Sequence, residues 1–278
     1  MSEKFGLTLG GGGARGAAHI GIIAELERVG VYPDLITGTS IGGMVGALLA
    51  AGYNARQLAD FFAKLSIAQM YSLPGTLPAF SNNNKVENLL DEMIGGITFA
   101  DLNIPLAVVA ADVVNRKPII LDEGELITAV LATIALPLVL PPVERDGHTL
   151  VDGGVMNNVP FDVARARGAT YVLAVDLTNT APYGTVSQTS LTTGSVIERV
   201  LNVTQRNRTW QMLSTIVDII TAQSLNTRLA ISRPEILLQP ELGTIGILDF
   251  HRWEEGVEAG KTAVLPHLDA ILEAVGSE

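Results

Sequence analysis

Cysteine is absent from the 278 residues. That excludes disulfides, thiolate nucleophiles and Cys-ligated metal centres, and it fixes no redox compartment, since a cysteine-free chain works in either. Positive charge is scarce: 18 Lys and Arg stand against 29 Asp and Glu, for a formal net charge of −11. A nucleic-acid partner needs clustered cations against phosphate and is not expected. Charged residues of all kinds reach only 17% and mean hydropathy is +0.34, so much of the secondary structure should be fully buried. The start MSEKFGLTL has neither the charged n-region nor the apolar h-region of a signal peptide, which predicts a cytoplasmic protein. A long unbroken apolar run is lacking too. The best candidate, LITAVLATIALPLVLPPV at 126–143, has the length of a spanning helix, but Pro137, Pro141 and Pro142 break its second half. It predicts a short helix running into a Pro-rich loop, serving either as core or as one wall of an acyl-chain pocket. With no internal repeat and no clear linker, residues 1–278 read as one domain.

What is present is an alternation of strand and helix, the signature of an α/β fold with a mostly parallel sheet covered by helices on both faces. Strands are predicted at 5–9, 33–39, 105–112, 117–121, 148–154, 171–177 and 235–242. The pair 105–112 and 117–121 reads as a paired unit. Helices are predicted after the glycines to Val29, at 41–52, 55–68, 85–94 and 159–168, in a long stretch to about residue 225, and at the C-terminus with a bend at Pro266. Segments 72–84 and 179–194 read as loops. The motif-bearing part spans 5–178, and 187–278 is mainly helical.

Two glycine motifs follow the first two strands. GGGARG at 11–16 satisfies G-x-G-x-x-G between a strand and a helix, the context of a dinucleotide-binding fingerprint. That fingerprint needs an acid at the far end of the second strand, and the only candidate, Asp34, stands at its beginning. A P-loop fails as well, because Ala17-Ala18 follows where Lys-Ser/Thr is required. The far end of the second strand carries GTSIG at 38–42 instead, a G-x-S-x-G in which Gly38 and Gly42 flank Ser40 on a strand-to-helix turn. Such a turn exposes a nucleophilic hydroxyl; by chance it marks only close strand–helix packing.

A serine nucleophile needs a base. His19, His148, His251 and His267 carry no motif that nominates any of them. Asp152, in VDGGV, stands at a strand end before Gly153 and Gly154; it is either an ordinary Asp-Gly turn or a carboxylate held at the sheet edge to accept a proton.

The order of the three motifs resembles the patatin-like phospholipase family. HIG at 19–21, ALPLVLPPV at 135–143, VDGGVMNNVP at 151–160 and VLAVDL at 172–177 extend the likeness over residues 5–178. Leu140 departs from it, standing where members often have Phe. The resemblance implies a three-layer patatin-like α/β/α fold and a Ser–Asp dyad without histidine, with Ser40 as nucleophile and Asp152 as base. It implies an oxyanion hole from Gly11, Gly12 and Gly13, in a loop that Ala14, Arg15 and Gly16 complete. Arg15 would pin that loop or meet an anionic lipid headgroup. The implied substrate is a (lyso)phospholipid or related acyl ester, met by peripheral membrane contact, with no cofactor and no metal. The rivals are a dinucleotide-dependent oxidoreductase and a non-catalytic lipid-binding protein on the same fold. Oligomeric state is not legible.

Overall fold

The computed structural model describes residues 3–65, 84–137, 139–178 and 208–275. Residues 72–83 of the loop expected at 72–84, the loop expected at 179–194 and the end of the helix expected at 55–68 lie outside the described residues, and Asn84 opens a helix instead.

Eight strands form one sheet: β1 (Phe5–Leu9), β2 (Leu35–Thr39), β3 (Leu106–Asp112), β4 (Lys117–Leu121), β5 (Val143–Arg145), β6 (His148–Asp152), β7 (Tyr171–Val175) and β8 (Ile236–Leu238). The order is β5-β6-β3-β2-β1-β7-β8, with β4 also paired to β3. From β3 to β8 neighbouring strands are parallel. The pairs β3–β4, β3–β6 and β5–β6 are antiparallel. Every residue of β1, β2 and β3 is buried, as expected of parallel strands covered on both faces.

The helices are α1 (Ala17–Arg28), α2 (Ile41–Ala50), α3 (Ala55–Lys64), α4 (Asn84–Ile94), α5 (Leu126–Thr133), α6 (Gly154–Asn157), α7 (Phe161–Ala166), α8 (Arg208–Ile231), α9 (Trp253–Val264) and α10 (Leu268–Val275). They fall into two layers. Leu7, Leu9, Ile36, Val108 and Val175 pack with α1, α2, α3 and α5. Across the sheet Leu35, Val172 and Ala174 pack with Phe161 and Ala164 of α7 and Leu225 of α8. The result is the three-layer α/β/α fold.

One register detail positions everything that follows. β3 has β4 on one edge over Val108–Asp112. Its other edge is shared end to end: β2 pairs with Leu106–Val109 and β6 with Ala110–Asp112. The last residue of β2, Thr39, therefore stops where the last residue of β6, Asp152, begins its pairing, and the two chain ends meet head on.

Local departures from expectation have local causes. β5 was not expected; it exists because the turn at Asp146-Gly147 folds 143–145 back onto β6. The residues after Asp152 form the one-turn helix α6 in place of a simple turn. α8 runs past 225, held by buried Leu225 and by an Arg228–Asp162 ion pair. β8 is only three residues long, closed by Pro240, which offers no N–H to a ladder. The terminal helix is interrupted by a 3-10 turn at Leu265–His267, around Pro266.

Candidate active site

Ser40 joins β2 to α2 with φ 56° and ψ −128°, a conformation that costs a non-glycine residue about 1–3 kcal/mol. The surroundings hold it there. Its N–H donates to Thr133 Oγ1 at 2.9 Å, and that hydroxyl donates in turn to Val109 O at 2.6 Å. Gly42, in the first turn of α2, lies against the end of β1; a Cβ there would come 2.1 Å from Leu9 O. Gly38 precedes the turn inside β2, and Gly16 packs on Ile41.

Ser40 Oγ donates to Asp152 Oδ2 at 2.6 Å, and Gly154 N–H donates to Asp152 Oδ1 at 2.8 Å. Asp152 is buried. Burial pushes its carboxyl up to about 6 despite the opposing pull of these two hydrogen bonds. Gly153, between the acid and α6, follows β6 directly.

The stretch beyond Asp152 ties the other parts together. Thr37 Oγ1 donates to Pro160 O and Thr39 Oγ1 to Asn157 O. Asn158 O accepts from Gly11 N–H at 3.1 Å, and Asn158 Nδ2 donates to Gly11 O at 3.2 Å. Gly10 N–H donates to Val175 O and Ala14 N–H to Ile247 O. Gly11 thus spends its N–H on the protein. Within residues 10–15, the N–H groups of Gly12 and Gly13 are left without a partner among the described residues. Gly13 has φ +59°, and a Cβ on it would come 2.2 Å from Ile247 O.

Arg15 is buried beneath the loop. Its Nε donates to Ile245 O at 2.9 Å and its guanidinium meets Asp218 of α8 at 2.8 and 3.3 Å. These contacts make it a loop anchor, with no free face for a headgroup. His19 is also buried: its Nε2 donates to Gly10 O at 2.8 Å, and burial lowers its pKa to about 4, so the ring is neutral. His148 bonds Asp112, and His251 and His267 lie in 3-10 turns. None of the four hydrogen-bonds Ser40. Asp34 accepts Phe5 N–H at the amino edge of the sheet, far along β2 from the glycine loop. Among the described residues, no cluster of three metal-ligating side chains exists.

Ser40, Asp152, Gly12 and Gly13 line one pocket, walled by Ile41, Ile134, Leu136, Val155, Val217 and Ile247. A polar serine–carboxylate pair and a glycine loop thus face an apolar cleft.

The family model described as patatin-like phospholipase matches residues 7–165. The chain belongs to the patatin-like phospholipase family. It is 30% identical over 278 residues to an uncharacterized NTE family protein of Mycobacterium tuberculosis, covering 96% of this chain and 47% of that protein. It is 31% identical over 283 residues to patatin-like phospholipase domain-containing protein 7 of Mus musculus, covering 93% of this chain and 20% of that protein. The chain therefore spans less than half the length of these relatives. Among solved structures, VipD from Legionella pneumophila superposes with a TM-score of 0.60 at 14% identity, over 97% of this chain and 67% of that one, a likeness of fold. No helix of the described residues is long and apolar enough to cross a membrane.

In this patatin-like site three contributors escaped the sequence reading. Thr133 is a buried hydroxyl at the end of an apolar helix, and that position was the available signal. Asn158 follows the Asp-Gly-Gly motif closely, but nothing local links it to Gly11. Ile41, the first residue of α2, lines the pocket next to Ser40. In the 126–143 run, α5 packs in the core, and Ile134 and Leu136 just beyond it line the pocket. Leu140 is buried beside them.

Proposed function

We propose that this chain hydrolyses carboxylic esters of (lyso)phospholipids or related lipids, with Ser40 as nucleophile and Asp152 as its base. The observation that carries this reading is the 2.6 Å hydrogen bond from Ser40 Oγ to Asp152 Oδ2 in a pocket where no histidine bonds the serine.

As Ser40 Oγ attacks the acyl carbon, its proton passes to Asp152 Oδ2 and the carbonyl π electrons move to oxygen. Backbone N–H groups of Gly12 and Gly13, aided by the first N–H of α2, donate to that oxyanion; one such donor contributes about 3–4 kcal/mol. Asp152 then protonates the departing alcohol oxygen, leaving an acyl-serine. Water repeats the sequence on the acyl carbon, giving a proton to Asp152, which passes it to Ser40 Oγ as the fatty acid leaves. A base whose pKa is about 6 is largely ionised at neutral pH yet still basic enough to share the proton. The apolar walls suit an acyl chain, and the relatives' names support phospholipid. A cytoplasmic setting is part of the same reading.

The test is hydrolysis of p-nitrophenyl butyrate together with labelling by a fluorophosphonate. Wild type should turn over and label at Ser40; Ser40→Ala should do neither, and Asp152→Asn should lose turnover. Activity surviving in either variant overturns the dyad. Lipid retained by wild type without any turnover would instead make the chain a binding protein on this fold.

A further inference from the structure

Ten large apolar side chains are strongly exposed among the described residues, and they are not spread evenly. Seven belong to three segments, of which α8 and α6 also line the pocket. Four are on α8: Met212, Ile216, Ile219 and Ile220, spaced so that they share its outer face. The opposite side of the same helix turns Val217, Asp218 and Thr221 into the pocket. Next comes Val155 of α6, which lines the pocket and is also exposed. The third segment is the β3–β4 turn with Val113 and Val114, followed by exposed Arg116 and Lys117. This turn projects past Ala110, the partner of Asp152, at the carboxyl edge of the sheet. α6 packs against β3, β4 and α8, which joins the three segments into one rim. By contrast Tyr32, exposed just before β2, lies at the amino edge.

Charge says what kind of surface would meet this rim. Between residues 212 and 227 the only charged side chain is Asp218, and it is engaged by Arg15. The two cations Arg116 and Lys117 follow exposed Val113 and Val114 closely, where phosphate headgroups would lie once those valines entered a bilayer. The chain as a whole carries −11, which opposes a strongly anionic membrane. An uncharged apolar ring around an acyl-ester pocket, edged by two cations on an acidic protein, fits a zwitterionic phospholipid bilayer.

We infer that the α8 outer face, Val155 and the β3–β4 turn form an interfacial docking surface that seats the pocket mouth on a zwitterionic bilayer. Substrate then enters without crossing water, acyl chain first, between α8 and α6. The choice of a lipid surface as occupant rests on the acyl-hydrolase reading above, and the measurements below separate the two.

Binding is read by flotation of the Ser40→Ala protein with phosphatidylcholine vesicles, so that turnover plays no part. The protein should float, and should still float in high salt because burial of apolar area holds it. Ile219→Asp and Val114→Asp, on two separate segments, should each lower the bound fraction about tenfold, while Tyr32→Asp leaves it unchanged. In the Ser40-containing protein, the same two variants should cleave soluble p-nitrophenyl butyrate at the wild-type rate and lose turnover of vesicle phospholipid. Circular dichroism checks that each variant is folded. No flotation, flotation abolished by salt, or an equal loss in Tyr32→Asp overturns the surface. So does a dimer in light scattering that Ile219→Asp dissociates, since the occupant is then a second copy. Flotation with no soluble-ester hydrolysis by wild type would sink the hydrolase and leave the docking surface; hydrolysis without flotation would do the reverse.

Discussion

Thr133 Oγ1 accepts the backbone N–H of Ser40 at 2.9 Å while donating its own proton to Val109 O at 2.6 Å. A threonine in the apolar α5 thus clamps the strained turn on which Ser40 stands to the strand beside it. Thr133→Val keeps the shape and removes the acceptor. Ser40 should then sit less well on Asp152, so kcat for p-nitrophenyl butyrate should fall about 10- to 100-fold with KM little changed. Thr133→Ser should restore most of it. A Thr133→Val enzyme with full kcat would show that the clamp is structural only.

The burial of Asp152 makes two opposite demands on pH. Its folded-state value of about 6 lies above the 3.8 of an ordinary aspartate, so the fold binds a proton that the unfolded chain has released. Stability from this group is therefore complete below about pH 4 and declines as pH rises to about 6, by roughly 3 kcal/mol in all. On the proposed mechanism activity runs the other way, because only the ionised carboxylate would accept the serine proton. Hence kcat/KM should climb between pH 5 and 7 with an apparent pKa near 6. Asp152→Asn should be inactive at every pH, and its stability relative to wild type should rise between pH 4 and 7 in denaturant titrations. A flat kcat/KM profile across that range would remove Asp152 from the role of base.

Gly13 is the loop position least able to change. With φ +59° and Ile247 O only 2.2 Å from where a Cβ would lie, Gly13→Ala must displace the loop or the 245–249 segment. Loss of one donor to the oxyanion costs about 100- to 1000-fold in kcat, and that is the expected fall. Fluorophosphonate labelling should slow in parallel while circular dichroism stays unchanged.

Arg15 carries a structural burden that its motif position conceals. Arg15→Met leaves Ile245 O without its donor and Asp218 without its cation, and should destabilise the protein by about 3–5 kcal/mol in urea unfolding. Adding Asp218→Asn should recover part of that loss, since the stranded charge is then gone. If the single and double variants unfold alike, the pair is not coupled.

Much of this protein is legible along the chain. Buried β-branched runs predicted the parallel strands because strands covered on both faces have no polar alternation to lose. The glycines around Ser40 announced the turn because only small residues let α2 approach β1 so closely. Asp34 argued against a dinucleotide from its position alone, and it indeed caps the amino edge. Chain-local signals failed where partners come from afar: β5 depends on β6, the extension of α8 on Asp162, and the loss of Gly11 as a donor on Asn158.

The sequence by itself determined which residues could do chemistry: one serine on a strained glycine turn, one acid at a strand end, and a glycine loop with backbone donors. Those are properties of side-chain type and of φ, ψ freedom, and they need no partner. Only the tertiary structure decided that the serine and the acid meet. β2 and β6 run in opposite directions along the same edge of β3, so their ends abut and place Ser40 against Asp152. Register along a shared strand is a long-range property, set by backbone pairing of β2 and of β6 with a third strand far from either in the chain, and no local spacing encodes it.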